Sequence, residues 1–226
     1  QELVVAHSGG LAGEDGAYEA VFREYGVVRV ANLDEMVDTL ELLSGGRGAA
    51  PGGLAAIHDS GGERAHLIDV AADVGLPLAQ ISDETVDRLA AVLDPGLPAV
   101  NPVDAWGTGA NYETIFMECM RALLADPDTA ALGFVIDLAD YIHDAGQFYD
   151  RMAAEIFAET DKPVAVLSNL PTAIPAVSAE LIRNAGVPLL EGTATGLRAF
   201  RALFDRRDFA VLPSFTSPAP VAAEVR

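Results

Sequence analysis

Three short stretches carry residue types able to do chemistry. In the first, Leu3-Val4-Val5-Ala6 delivers His7 into Ser8-Gly9-Gly10-Leu11-Ala12-Gly13. A neutral imidazole is a nucleophile near physiological pH, and flanking glycines let backbone or a bulky anion approach with no Cβ in the way. On spacing alone, an ordinary loop histidine is the simpler reading. In the second, His58-Asp59 leads into Ser60-Gly61-Gly62-Glu63-Arg64. Ser60 and the paired glycines open a helix whose free amides and dipole favour an anion, by ~0.3 to 1 kcal/mol per exposed charge. A tight strand-to-helix turn explains the same glycines equally well. Glu63 would repel a phosphate there, whereas Arg64 would attract one. In the third, Asn101-Pro102-Val103-Asp104-Ala105-Trp106-Gly107 flanks a proline with side chains that pin a loop by bonding to backbone. That pinning role outweighs direct catalysis.

Each stretch falls where a strand hands over to a helix. Beyond His7, the residues Tyr18, Val21, Phe22 and Tyr25 recur at helical spacing as far as Gly26. Val27 to Val30 reads as a short strand. Asn32 then caps a helix over 33–43, with Asp34 and Glu35 in the first turn where the dipole favours negative charge. Residues 44–52 are rich in glycine and form the clearest linker. Residues 1–43 contain too little strand for a core of their own and must pack on something else. From Gly53 onward, apolar strand, turn and amphipathic helix repeat. Strands are expected at 54–57, 77–81, 131–136, 163–167 and 188–190. Helices are expected at 62–74, from Ser82 or Asp83 onward, and at 111–124, 147–158, 174–185 and 193–204, with Phe116, Met117 and Met120 packing in their helix. Strands that are apolar on both faces and alternate with helices make a parallel sheet covered on both sides. The expected fold is therefore α/β, a flavodoxin-like doubly wound sheet over 53–208, followed by a tail or linker at 209–226. Ligands of such sheets bind beyond the carboxyl ends of the strands, where the strand order reverses. Ser60, Gly61 and Gly62 lie at one such end.

Composition narrows the function. Half of the 226 residues are hydrophobic, enough for one domain, or for one domain and a piece of another. No apolar run approaches the roughly 20 residues of a membrane-spanning helix, and the start lacks the basic flank and apolar core of a signal peptide. The expectation is a cytoplasmic protein with no membrane partner. A net charge of −20, with Lys162 the only lysine, opposes nucleic-acid binding through a basic face. Cys119 is the only cysteine, so there is neither an internal disulfide nor a thiolate metal cluster. His58, His66 and His143 show no close metal-ligand spacing, and no metal site is expected. The chain starts at Gln1 and runs almost at once into a strand, and it reads as a piece of a longer polypeptide.

In this order, AHSGGLAGEDGAYEAVFREYGVVRV, DSGGERA and NPVDAWG resemble the NDP-forming (ADP-forming) acyl-CoA synthetases, relatives of succinyl-CoA synthetase, over nearly the whole chain. The first motif is fairly specific to that family; the others are specific only beside it. The resemblance implies that residues 1–43 end a phosphohistidine-bearing domain and that 53–208 form a CoA-ligase-type flavodoxin-like domain. It implies that His7 is the catalytic residue that becomes phosphorylated. Ser60, Gly61 and Gly62 would form one of two helix N-termini that face each other across the phosphohistidine. Ser8, Gly9, Asn101, Pro102 and Asp104 would shape the neighbouring loops. The implied reaction is an acid-thiol ligation that makes acyl-CoA from a small carboxylic acid, CoA and ATP, and releases ADP and phosphate. No tightly bound cofactor is implied. ATP or GTP, Mg2+ and CoA would enter as substrates through CoA-binding and ATP-grasp domains or subunits, and a homo-oligomer is compatible with the pattern. Two positions depart from the family. Ser8 replaces a usual small partner, and Glu63 stands where a small residue or proline is frequent. Glu63 mildly favours the alternative, a non-catalytic regulatory or scaffold module of the same fold. A receiver domain could use Asp59, Asp137 and Ser168, but it needs a lysine where this chain has Glu191.

Overall fold

The structure, a computed structural model, describes residues 14–138 and 145–211. His7, Ser8, Gly9, His143 and residues beyond 211 lie outside them. Two helices come first, α1 (Asp15–Glu24) and α2 (Leu33–Ser44). There follow β1 (Gly53–His58), α3 (Gly61–Val74), α4 (Asp83–Val92), β2 (Val103–Asp104), α5 (Tyr112–Ala125) and β3 (Thr129–Val135). Then come α6 (Ala145–Ala158), β4 (Val164–Leu167), a 3-10 turn (Pro171–Ala173), α7 (Ala176–Asn184), β5 (Leu189–Leu190) and α8 (Thr193–Val211).

All strand pairs are parallel, in the order β2-β1-β3-β4-β5. This is the flavodoxin-like order, with its switch point between β1 and β3. The central strands are buried along their whole length because alternate side chains enter different cores. Leu54 and Ala56 pack with Leu67, Ala71, Phe200 and Leu42. Ala55 and Ile57 pack with Phe116, Phe134, Tyr149 and Ile156. Period-2 alternation thus appears as a continuous apolar run, as expected for a sheet covered on both faces.

The helix ends follow local chemistry. Asn32 accepts a hydrogen bond from the Glu35 amide at 2.8 Å, and Ser82 accepts one from Thr85 at 3.3 Å. Gly75 ends α3 at φ 66°, a left-handed conformation that glycine adopts without Cβ strain. The 44–52 segment is fastened down along its length. Arg47 donates to the Phe157 and Lys162 carbonyls at 2.9 and 3.2 Å, while Arg207 donates to those of Ala50 and Gly52 at 2.9 and 3.1 Å. At Gly52 a Cβ would sit 2.1 Å from the Asp128 carbonyl oxygen, so only glycine fits.

Four expectations change. Val27–Val30 is not a strand, because no strand among the described residues lies beside it. Residues 77–81 also fall short of a strand: only a bridge between Leu54 and Leu78 forms. Asp128 and Asp126 instead receive the Gln80 and Ser82 amides at 2.6 and 2.8 Å. The edge position goes to β2, inside the stretch read as a loop, and Asn101 pins it there. Its carboxamide accepts from the Ala56 amide at 2.9 Å and donates to the carbonyls of Leu54 and Ala79 at 2.9 and 3.0 Å. One side chain thereby supplies backbone bonding that a longer edge strand would give. Finally, α8 runs on to Val211, past the expected end at Phe204.

The α2 helix covers the opposite edge. The outward amides of Leu189 and Glu191 donate to Glu41 at 2.7 Å and to Asp38 at 2.9 Å. Arg183 grips Glu41 through two bonds, 3.0 and 2.8 Å. The segment before the linker therefore packs on β5 and α8.

Replacing Asn101 with Ala strips the buried Ala56 amide of its partner. The variant is expected to fold with stability lowered by about 1 to 3 kcal/mol, read from the midpoint of urea unfolding.

Candidate functional site

The switch point is built from the ends of β1 and β3 and the start of α3. Ser60 occupies the N-cap of α3 with extended backbone, and its hydroxyl makes no capping bond. Gly61 and Gly62 are exposed, so the first amides of α3 open to solvent. A Cβ on Gly61 would lie 3.1 Å from Asp104 Oδ2, whereas Gly62 has room. Ser60, Gly61 and Asp104 are thus brought together. Asn101 and Pro102 stand beside them in a structural role: Asn101 bonds β1, and the Pro102 carbonyl accepts from Arg64 Nε at 2.6 Å. Arg64 therefore fixes the β2 loop. Asp104 Oδ1 accepts from the Trp106 amide at 3.3 Å, a local turn bond.

Four further groups gather beside this helix start. Asp59 follows β1, Asp137 follows β3, Glu63 sits in the first turn of α3, and Tyr149 reaches over from α6. The Tyr149 hydroxyl donates to Asp59 Oδ2 at 3.0 Å, and the Leu170 amide donates to Asp137 Oδ1 at 3.2 Å. Glu63 lies close enough to Asp59 and Asp137 for their charges to disfavour its own. Burial, then the charges of Asp59 and Asp137, push Glu63 up to about 8. Burial also raises Asp59, opposed by the bond from Tyr149, and burial raises the Tyr149 hydroxyl. Glu63 is accordingly neutral at pH 7 and turned toward its neighbouring acids. The repulsion expected from its charge is largely removed by protonation.

His58 is fully buried at the end of β1, and neither ring nitrogen has a partner among the described residues. Burial, assisted by Arg64, drives it down to about 3, so it stays neutral. His66 is exposed on α3. Among the described residues, no group of three or more His, Cys, Asp or Glu is arranged to hold a metal ion, and no helix is long and apolar enough to cross a membrane.

Tyr149 was not singled out from the sequence. With Met152, Ala153 and Ile156 it repeats on the buried face of α6, so periodicity reads it as core. Its rings-in-contact with Phe116 and Phe134, at 5.9 and 5.6 Å, reinforce that appearance. Only the fold brings its hydroxyl to Asp59, which is 90 residues earlier in the chain.

Residues 1–43 match the family described as "Succinyl-CoA ligase like flavodoxin domain". Over 213 residues the chain is 26% identical to a trans-feruloyl-CoA synthase from an unknown prokaryotic organism, covering 93% of this chain and 30% of the relative. An ADP-forming acetate–CoA ligase I of Archaeoglobus fulgidus is 37% identical over 102 residues, 45% of this chain and 15% of the relative. The fold superposes on an acetyl-coenzyme A synthetase of Ca. Korarchaeum cryptofilum, solved with phosphate and ADP, with a TM-score of 0.77 and 19% identity. That likeness, one of fold, covers 92% of this chain and 45% of the solved one. The chain thus spans less than half the length of each of these proteins. Its sequence is thus similar to a part of ADP-forming acetate–CoA ligases, and its first 43 residues match the succinyl-CoA-ligase-like family model.

Proposed function

We propose that this chain is the part of an NDP-forming acid–CoA ligase that carries its phosphorylated histidine, His7, and one of the helix starts that receive the phosphoryl group. The observation that carries the reading is the family match over 1–43, which contains His7-Ser8-Gly9-Gly10. It is joined in one chain to a sheet with an open, glycine-led helix start at its switch point. In the direction of synthesis, an imidazole nitrogen of His7 attacks the terminal phosphorus of ATP and ADP leaves. A substrate carboxylate then takes the phosphoryl group to give an acyl phosphate and free imidazole. The CoA thiol, losing its proton, attacks the acyl carbon and phosphate departs. ATP, its Mg2+ and CoA would be held by CoA-binding and ATP-grasp domains or subunits. The relatives differ in acyl group, ferulate in one name and acetate in others, so the proposal stops at the reaction class.

The role of Ser60, Gly61 and Gly62 follows from electrostatics. A phosphoryl group in transit needs stabilisation that releases it again, and helix amides provide this without a fixed cation that would trap it. Arg64 is engaged with Pro102, and Glu63 is neutral while protonated. Both facts support a site made chiefly of amides. Ser8 and Gly9 would give the His7 loop its reach, and Asp104 would border the glycines.

Incubating the full-length protein, or this chain with its ATP-grasp partner, with magnesium and labelled ATP should leave acid-labile phosphate on the wild type and none on His7→Ala. Label on neither, with nucleotide binding intact, would make the chain a regulatory module of the same fold.

The pH dependence has a definite sign. Glu63 titrates higher in the folded protein than its ordinary value of 4.5, so the folded state holds a proton that the unfolded state has lost. Stability falls as pH rises from about 4.5 toward 8. Glu63→Gln is expected to flatten this slope in urea unfolding at pH 5 and pH 8. A residual slope remains from Asp38, Asp59 and Asp150, which burial also raises.

A further inference from the structure

The proposed phosphoryl site uses the amides that open α3 and leaves Glu63, in the same first turn, without a task of its own. A carboxylate there ordinarily suits a helix, because its charge answers the open amides. It would also compete with any incoming anion for the same field. Whether it competes depends on its proton.

Three carboxyls meet beside the helix start, and two of them have donors. The Tyr149 hydroxyl donates to Asp59 Oδ2 at 3.0 Å, and the Leu170 amide donates to Asp137 Oδ1 at 3.2 Å. Each donor favours a charge on the carboxyl it serves. Glu63 Oε2 is buried and receives no donor from the described residues. A buried oxygen of that kind is unfavourable as a carboxylate, whereas a protonated carboxyl can itself donate. The proton of the cluster therefore belongs on Glu63. Burial and the charges of Asp59 and Asp137 act in the same direction, pushing Glu63 up to about 8.

The other polar groups around α3 leave this balance in place. Arg64, next in sequence, is turned to the Pro102 carbonyl at 2.6 Å, and Arg201 of α8 bonds the Gly75 carbonyl at the far end of the helix. His58 at the end of β1 is buried and neutral. Asp104 of β2 borders Gly61 as a further acid, burial keeps the Tyr149 hydroxyl protonated, and His66 is exposed one turn further along α3.

We propose that Glu63 is a proton-operated gate on the phosphoryl site. With its carboxyl protonated, the amides of Gly61 and Gly62 accept the doubly charged phosphoryl group; with the proton released to solvent, the carboxylate in the same turn turns that group away. The proposal rests on the reading of His7 as the residue that brings the phosphoryl group. The coupling is reciprocal: an anion seated at Gly61 and Gly62 holds the proton on Glu63 to higher pH.

Two measurements on the full-length protein test this. The first is the level of acid-labile phosphate at a fixed ratio of ATP to ADP with magnesium, in wild type and Glu63→Gln. Dividing one by the other cancels the titration of His7 and of the nucleotides. The ratio should stay near its pH 7 value below the Glu63 titration and fall about tenfold at pH 9, one unit above the value of about 8, where about one molecule in ten keeps the proton. His66→Gln should keep the wild-type profile. The second is the infrared band of the protonated Glu63 carboxyl, identified by its loss in Glu63→Gln. Sulfate, a dianion at every pH used, should carry that band to higher pH. A ratio that does not change with pH, a profile lost in His66→Gln instead, or a band that sulfate leaves in place overturns the gate. Because sulfate needs no phosphorylated histidine, a band moved by sulfate in a protein that takes no label would sink the ligase reading alone. Label on His7 with identical profiles in wild type and Glu63→Gln would sink the gate alone.

Discussion

A parallel sheet must pair its backbone without the help of hairpins, and in this protein both edge strands are only two residues long. The missing bonds come from side chains. At one edge the Asn101 carboxamide serves the backbone of Leu54, Ala56 and Ala79. At the other, Asp38 and Glu41 receive the amides that β5 turns outward. A buried amide without a partner costs about 1 to 3 kcal/mol, and an open edge invites pairing with other chains. Satisfying these few groups determines how the loop of β2 and the helix α2 sit, and through them what surrounds the switch point.

That arrangement has electrostatic consequences for the candidate site. With Arg64 drawn to the Pro102 carbonyl, the start of α3 lacks a cation from its own first turn. With Glu63 beside Asp59 and Asp137, burial and their charges favour its protonated form over a full negative charge in the same turn. The open amides of Gly61 and Gly62 are then the donors at the helix start, with the carboxylates of Asp59, Asp104 and Asp137 beside them. An anion held by amides alone is released more easily than one locked in an ion pair, which suits a site that passes a phosphoryl group onward.

The α2 helix joins the fold at its β5 edge. An acidic inner face on α2 is costly to bury unless each carboxylate finds a donor, and here the donors are backbone amides and Arg183. The apolar residues left outside by this arrangement are as regular as any core stripe.

Much of this was legible in the residues. The apolar runs of β1, β3 and β4, the caps at Asn32 and Ser82, and the glycine pair after Ser60 are local signals, set by periodicity and by backbone chemistry within a few residues. They determined the fold class and the position of a helix start at a strand end. The motifs around His7, Ser60 and Asn101 also carried the resemblance. What the sequence left undecided depends on partners far away in the chain. Residues 77–81 have a strand's composition but lose their place to Val103–Asp104, because Asn101 reaches across from the loop and Asp126 and Asp128 take the competing amides. Val27–Val30 has a strand's residues and, among the described residues, no strand beside it. The directions of Glu63 and Arg64, the meeting of Tyr149 with Asp59, and the inverted face of α2 were decided only by tertiary structure. Charge, burial and hydrogen-bond supply at one side chain are properties of its neighbours in space, and a sequence records only its neighbours along the chain.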